Sequence, residues 1–132
     1  MNAPELAPTL ADIETLAHEA IAIIPAELKR HLGPVVIRVD EFPDAETEEE
    51  MELESPFDIL GLYRGLALPH KASSQPDPQI DMIFLYRRPL LDFWCETGAP
   101  LRVIVRHVLI HEIGHHFGFS DDDMERIEET DA

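Results

Sequence analysis

Apolar residues recur at three- and four-residue intervals from Thr9 to Leu32, at Leu10, Ile13, Leu16, Ala17, Ala20, Ile24 and Leu28. That spacing predicts an amphipathic helix. Pro25 lacks a backbone N–H and crowds the preceding turn, so it either kinks this helix or opens a second one, and Gly33-Pro34 ends it. Val35 to Val39 is a short β-branched run, predicted as a strand buried on both faces. Ile59 to Leu68 contains Gly61-Leu62-Tyr63-Arg64-Gly65 and reads as a strand whose glycines admit a close neighbour. Ile80 to Tyr86 is the clearest strand, set between a loop rich in proline and serine (His70 to Gln79) and the Arg87-Arg88-Pro89 boundary. Leu101 to Ile110 is β-branched enough to pass for a strand. Pro100 nevertheless suits a helix start, and a helix sandwiched between a sheet and another helix is apolar nearly all round, so helix is predicted.

Composition narrows the class. With 132 residues, 45% of them apolar, the chain has the size and the core material of one domain over 1–132. The 27 Asp and Glu against 10 Lys and Arg give a formal net charge of −17. Such a surface repels phosphate backbones, and no basic cluster exceeds Arg87-Arg88, so nucleic-acid binding is disfavoured. Nine of the acidic residues crowd into 40–54, predicted as a solvated loop or exposed helix. Cys95 is the only cysteine, which precludes an intramolecular disulfide and predicts a buried small apolar role for that residue. Met1 to Pro25 lacks the pattern of a signal peptide, and no stretch approaches the ~18 apolar residues of a membrane span, so a cytoplasmic, membrane-free protein is expected.

The chemistry is concentrated in His107-Val-Leu-Ile-His111-Glu112-Ile-Gly114-His115-His116-Phe-Gly118-Phe-Ser-Asp121. On a helix, positions 111 and 115 lie about 40° apart around the axis and about 6 Å along it, so two imidazoles can converge on one ion. In a strand they would sit about 13 Å apart, too far for one metal. Glu112 projects about 100° from His111, an awkward place for a third ligand but within reach of a water beside the metal. Zinc held by three protein groups leaves one open position, lowers the pKa of water toward about 7 and polarises a carbonyl, and a neighbouring carboxylate is the base such chemistry needs. A left-handed Gly118 would reverse the chain and swing Asp121 back toward the metal.

Other residues compete for these roles. His107 is one turn before His111, yet about 12 Å along the axis from His115, so it is read as packing or support for the ligands. Asp121 competes with a structural reading in which it, Asp122 and Asp123 fill the first turn of a helix capped by Ser120. His116, four residues after Glu112, either hydrogen-bonds that carboxylate or is a surface histidine. Candidates to stabilise an oxyanion are Tyr63, Arg64, His70 and Tyr86.

The His111 to Asp121 segment, with Ile24-Pro25-Ala26-Glu27, the 60–65 run and the strand ending at Arg88, resembles the small bacterial zincin-like metallopeptidases that carry His-Glu-x-x-His-x-x-Gly-x-x-Asp near the C-terminus. The resemblance implies a minimal zincin-like α/β (α+β) fold: a small twisted mixed sheet of three to four strands, packed on an N-terminal helix and an active-site helix, with a short C-terminal helix. It further implies Zn2+ held by His111, His115 and Asp121, with Glu112 catalytic. The expected activity is hydrolysis of peptides, cationic ones preferred given the acidic surface. One alternative is a zinc-dependent endoribonuclease of the rRNA-maturation type, whose pattern lacks the Glu after the first His and uses a third His. Another is a catalytically silent, metal-stabilised binding module whose acidic tract engages a basic partner.

Overall fold

The computed structural model describes residues 6–67 and 79–130. Helix α1 (Leu10–Ala22) starts at Thr9, whose side chain accepts from the Asp12 amide at 3.0 Å while Asp12 accepts from the Thr9 amide at 2.8 Å. Pro25 separates it from a short α2 (Ala26–Lys29), so the proline opens a second helix rather than kinking one. Strand β1 (Val35–Asp40) leads into the acidic tract, which forms the short helix α3 (Ala45–Glu50) capped by Asp44. After a 3-10 turn at Pro56–Asp58 come β2 (Gly61–Ala67) and β3 (Gln79–Tyr86). Three helices finish the chain: α4 (Arg87–Thr97), α5 (Leu101–His116) and α6 (Asp121–Thr130).

The sheet is three-stranded and mixed, in the order β1-β3-β2. β1 lies parallel to β3 with Ile37 opposite Ile83, and β2 is antiparallel to β3 with Tyr63 opposite the same residue. One face of the sheet (Ile37, Tyr63, Ile83, Leu85) packs into a core with Ile13, Ala17 and Ala20 of α1 and Val105, Leu109 and Ile113 of α5. Burying a side chain such as Leu109 completely contributes about 1.5–3 kcal/mol. Helix α5 is buried along most of its length, which explains its nearly continuous apolar sequence.

Three expectations are corrected. β1 is not buried on both faces: Ile37 faces the core, whereas Val36, on the opposite face, is 46% exposed, because α3 reaches that face only at its Asp40 end. The Arg87-Arg88-Pro89 boundary is instead the first turn of α4. Amides of a first turn have no intrahelical partner, so the proline removes no hydrogen bond there, and its ring is buried. The helix ends at Gly98, whose φ of 70° is left-handed. Cys95, on α4, is exposed rather than buried. The loop expected at 70–79 lies outside the described residues except for Gln79, which begins β3.

Candidate metal centre

Helix α5 stops in a Schellman turn. The Phe119 amide donates to the Gly114 carbonyl at 2.8 Å and the Gly118 amide to the His115 carbonyl at 3.2 Å, with Gly118 at a φ of 81°. Ser120 then caps α6: its hydroxyl accepts from the Asp123 amide at 3.1 Å and Asp123 accepts from the Ser120 amide at 3.3 Å. The chain thereby folds α6 back against α5, with Met124 and Ile127 buried. Gly114 lies at the contact, since a Cβ there would collide with the side chain of Met124. A glycine in mid-helix lowers helix propensity, and here it lets the two helices approach.

That approach assembles two groups of metal-ligating side chains, which share His111. In the first, the ligand atoms of His111, His115 and Asp121 all lie within 4.8 Å of one another. The His115 Nε2 to Asp121 Oδ1 distance is 3.3 Å, and the His111 and His115 rings are 5.9 Å apart, nearly perpendicular. In the second, the ligand atoms of His107, His111 and Glu128 likewise all lie within 4.8 Å of one another. Glu128 Oε2 is 3.0 Å from His107 Nδ1 and Oε1 is 2.8 Å from His111 Nε2, while the two rings lie 4.0 Å apart.

Sequence reasoning assigned Glu128 no role and kept His107 out of the ligand set. The signal was a matched pair of spacings. Glu128 follows Asp121 by seven residues and His107 precedes His115 by eight, both close to two helical turns. In helices that run back along each other, those spacings place Glu128 beside His107 whenever Asp121 is beside His115.

Glu112 points elsewhere, toward β2. Its carboxyl is half-buried, and burial raises its pKa above the usual glutamate value, partly opposed by a hydrogen bond from the Tyr63 amide and by the nearby His115. The Tyr86 amide donates to the Leu60 carbonyl at 3.1 Å, so by the alternation of an antiparallel ladder the Tyr63 amide faces away from β3 and is free to reach Glu112. Leu60, Gly61, His107, His111 and Glu112 line one cleft of about 260 Å3. Gly61 is tightly held, since an added Cβ would meet Val108 Cγ1 at 2.8 Å.

The oxyanion candidates fare differently. The Tyr63 ring is in the core, stacked on His116 at 4.0 Å, and His116 itself is exposed, as the surface reading of that histidine expects. The Tyr63 hydroxyl is buried without a well-formed hydrogen bond, and burial together with the Asp81 carboxylate raises the phenol's pKa, keeping it protonated. Arg64 and Tyr86 line a separate cavity of about 170 Å3 with Asp40, Asp44 and Phe84. His70 lies outside the described residues.

A three-stranded mixed sheet backed by a helix that carries His-Glu-x-x-His, closed by a short final helix, defines a minimal metallopeptidase-like domain. The chain belongs to the zincin-like metallopeptidase family, whose model matches residues 32–130. Its fold is similar to that of a conserved hypothetical protein from Thermo thermophilus, with a TM-score of 0.50 and 21% identity, over 83% of this chain and 94% of that one. At that identity the likeness concerns the fold alone. A comparison with curated proteins finds no match. Among the described residues no helix is long and apolar enough to cross a membrane.

Proposed function

We propose that this protein hydrolyses peptide bonds with a zinc ion held by His111, His115 and Asp121 and with Glu112 as general base. The observation that carries this reading is the convergence of those three donors within 4.8 Å, one residue from a half-buried carboxylate in a cleft. Two imidazoles and a carboxylate are a donor set that zinc accepts while keeping a position open, so the residues present fit the metal the family implies. When bound, zinc acidifies water and polarises the scissile carbonyl.

The chain's own contribution is proton handling and alignment. Glu112, held by the Tyr63 amide, takes a proton from the attacking water onto its carboxylate and returns it to the leaving nitrogen. Its raised pKa suits both halves of that exchange, because a carboxylate of ordinary acidity holds a proton too weakly to be an effective base near neutral pH. His111 and His115 belong to the same rigid helix, which fixes their separation before any substrate arrives. With a formal net charge of −17, cationic peptides are the proposed substrates, attracted by the field of the whole surface. The same charge, together with Glu112, weighs against the endoribonuclease alternative.

The test is Glu112→Gln, assayed against a charge-varied peptide library alongside zinc content. Hydrolysis is expected to fall by about 10²- to 10⁴-fold with about one zinc per chain retained. Full activity in this variant rules out the proposed base.

A further inference from the structure

We propose that His107, His111 and Glu128 form a second seat for a divalent transition-metal ion, one helical turn up α5 from the first and mutually exclusive with it. The two seats share one plan. Each takes two imidazoles four residues apart on α5, His107 with His111 or His111 with His115, and each takes one carboxylate from α6, Glu128 or Asp121. Two histidines and one carboxylate are a set that zinc uses.

The upper seat is the more compact of the two. Its rings are 4.0 Å apart against 5.9 Å below, and Glu128 spans both of them at 3.0 and 2.8 Å. Glu128 is also the more enclosed carboxylate, its side chain 22% exposed against 88% for Asp121. Its Oε1 is buried and, although it faces His111 Nε2, receives no hydrogen bond from it. A buried carboxylate oxygen left in that condition, among imidazole nitrogens, is suited to a cation.

Exclusivity comes from His111. A neutral imidazole has one ring nitrogen free to act as acceptor or ligand, so His111 serves one ion at a time. The residue after the first histidine also differs between the seats: Glu112 after His111, but the apolar Val108 after His107. Relative to the upper seat, an apolar residue therefore stands where Glu112 stands relative to the lower one. Exclusivity rests on the function proposed above; the existence of the upper seat does not.

Calorimetric titration with zinc chloride separates the two. Wild type is expected to take one ion. His115→Ala with Asp121→Asn, both at largely exposed side chains, leaves only the upper seat and should still take one ion, with affinity reduced about 10- to 100-fold. His107→Ala with Glu128→Gln leaves only the lower seat and should also take one. All four substitutions together should abolish tight binding. Circular dichroism of the metal-free chains verifies that each remains folded. The milder Asp121→Asn alone should lose a further tenfold or more in affinity when Glu128→Gln is added. If the His115→Ala, Asp121→Asn chain binds no better than the fourfold variant, or if Glu128→Gln has no effect in the Asp121→Asn background, the upper seat does not exist. If wild type takes two ions and His107→Ala with Glu128→Gln takes one, exclusivity is wrong. Failure of the His107→Ala, Glu128→Gln chain to bind overturns the lower seat instead.

Discussion

Tyr63 and Arg64 are neighbours on β2, yet they look into opposite sides of the sheet and into different chemistry. On the Tyr63 side, histidines and carboxylates from α5 and α6 converge, groups that share a preference for a cation. On the Arg64 side, a polar cavity of similar scale is lined by Asp40, Asp44, Glu46 and Arg64, and Asp40, Asp44 and Arg64 already have partners, Asp40 in Arg38 at 3.1 Å. Arg64 makes a close ion pair with Glu50, and Asp44 accepts from the Thr47 amide at 2.8 Å to cap α3. Hydrogen bonds from the Thr47 hydroxyl and amide hold the Asp44 carboxyl below the usual aspartate range, and Arg64 contributes. The contrast shows that concavity and charge do not distinguish a candidate reactive site from a structural one. The distinguishing feature is whether the charges are already satisfied by one another.

The largest separation between the two sides should appear in peptide hydrolysis. Arg64→Ala is expected to leave kcat/KM within about twofold of wild type, against the hundredfold or greater loss in Glu112→Gln. A comparable loss in Arg64→Ala would erase the distinction.

Next in size is the packing that brings α6 to the site. Gly114→Ala places a methyl group against Met124, so the urea midpoint should fall by the equivalent of about 1–3 kcal/mol. Zinc affinity should fall with it, because Asp121 and Glu128 both lie on the displaced helix. An unchanged midpoint would show that Met124 moves aside freely.

Smaller again is the Arg64 side itself. Arg64→Ala should lower stability by only about 0–1 kcal/mol by the same measurement, as Glu50, its partner in the ion pair, is half exposed.

The smallest effect concerns pH. Arg126 on α6 donates to both carboxylate oxygens of Glu27 on α2, at 2.8 and 3.0 Å, and this lowers the Glu27 pKa. A depressed folded-state pKa adds stability above the ordinary glutamate value, and that stability is lost as pH falls through the folded value. Glu27→Gln should therefore flatten the acid end of the stability profile slightly. A profile superimposable on wild type below pH ~4 would deny this link any role.

Much of the architecture could be read from short-range pattern. The stripe at Ile13, Ala17 and Ala20, the β-branched run at 35–39 and the apolar run at 80–86 all became the expected elements, because helix and strand repeats are properties of neighbouring residues. The helical setting of His111 and His115 and the left-handed Gly118 were legible for the same reason. Helix α4 was not, since proline reads as a breaker unless one knows it falls in a first turn. The exposure of Val36 and Cys95 was equally hidden, for burial depends on what covers a residue rather than on its own type.

The sequence by itself determined which side chains α5 presents and at what spacing along its axis. Only the tertiary structure decided what meets them: the Tyr63 amide on Glu112, and Glu128 between His107 and His111 across 21 residues of chain. The physical reason is the close crossing of α5 and α6 over Gly114, a long-range packing event that no local periodicity encodes.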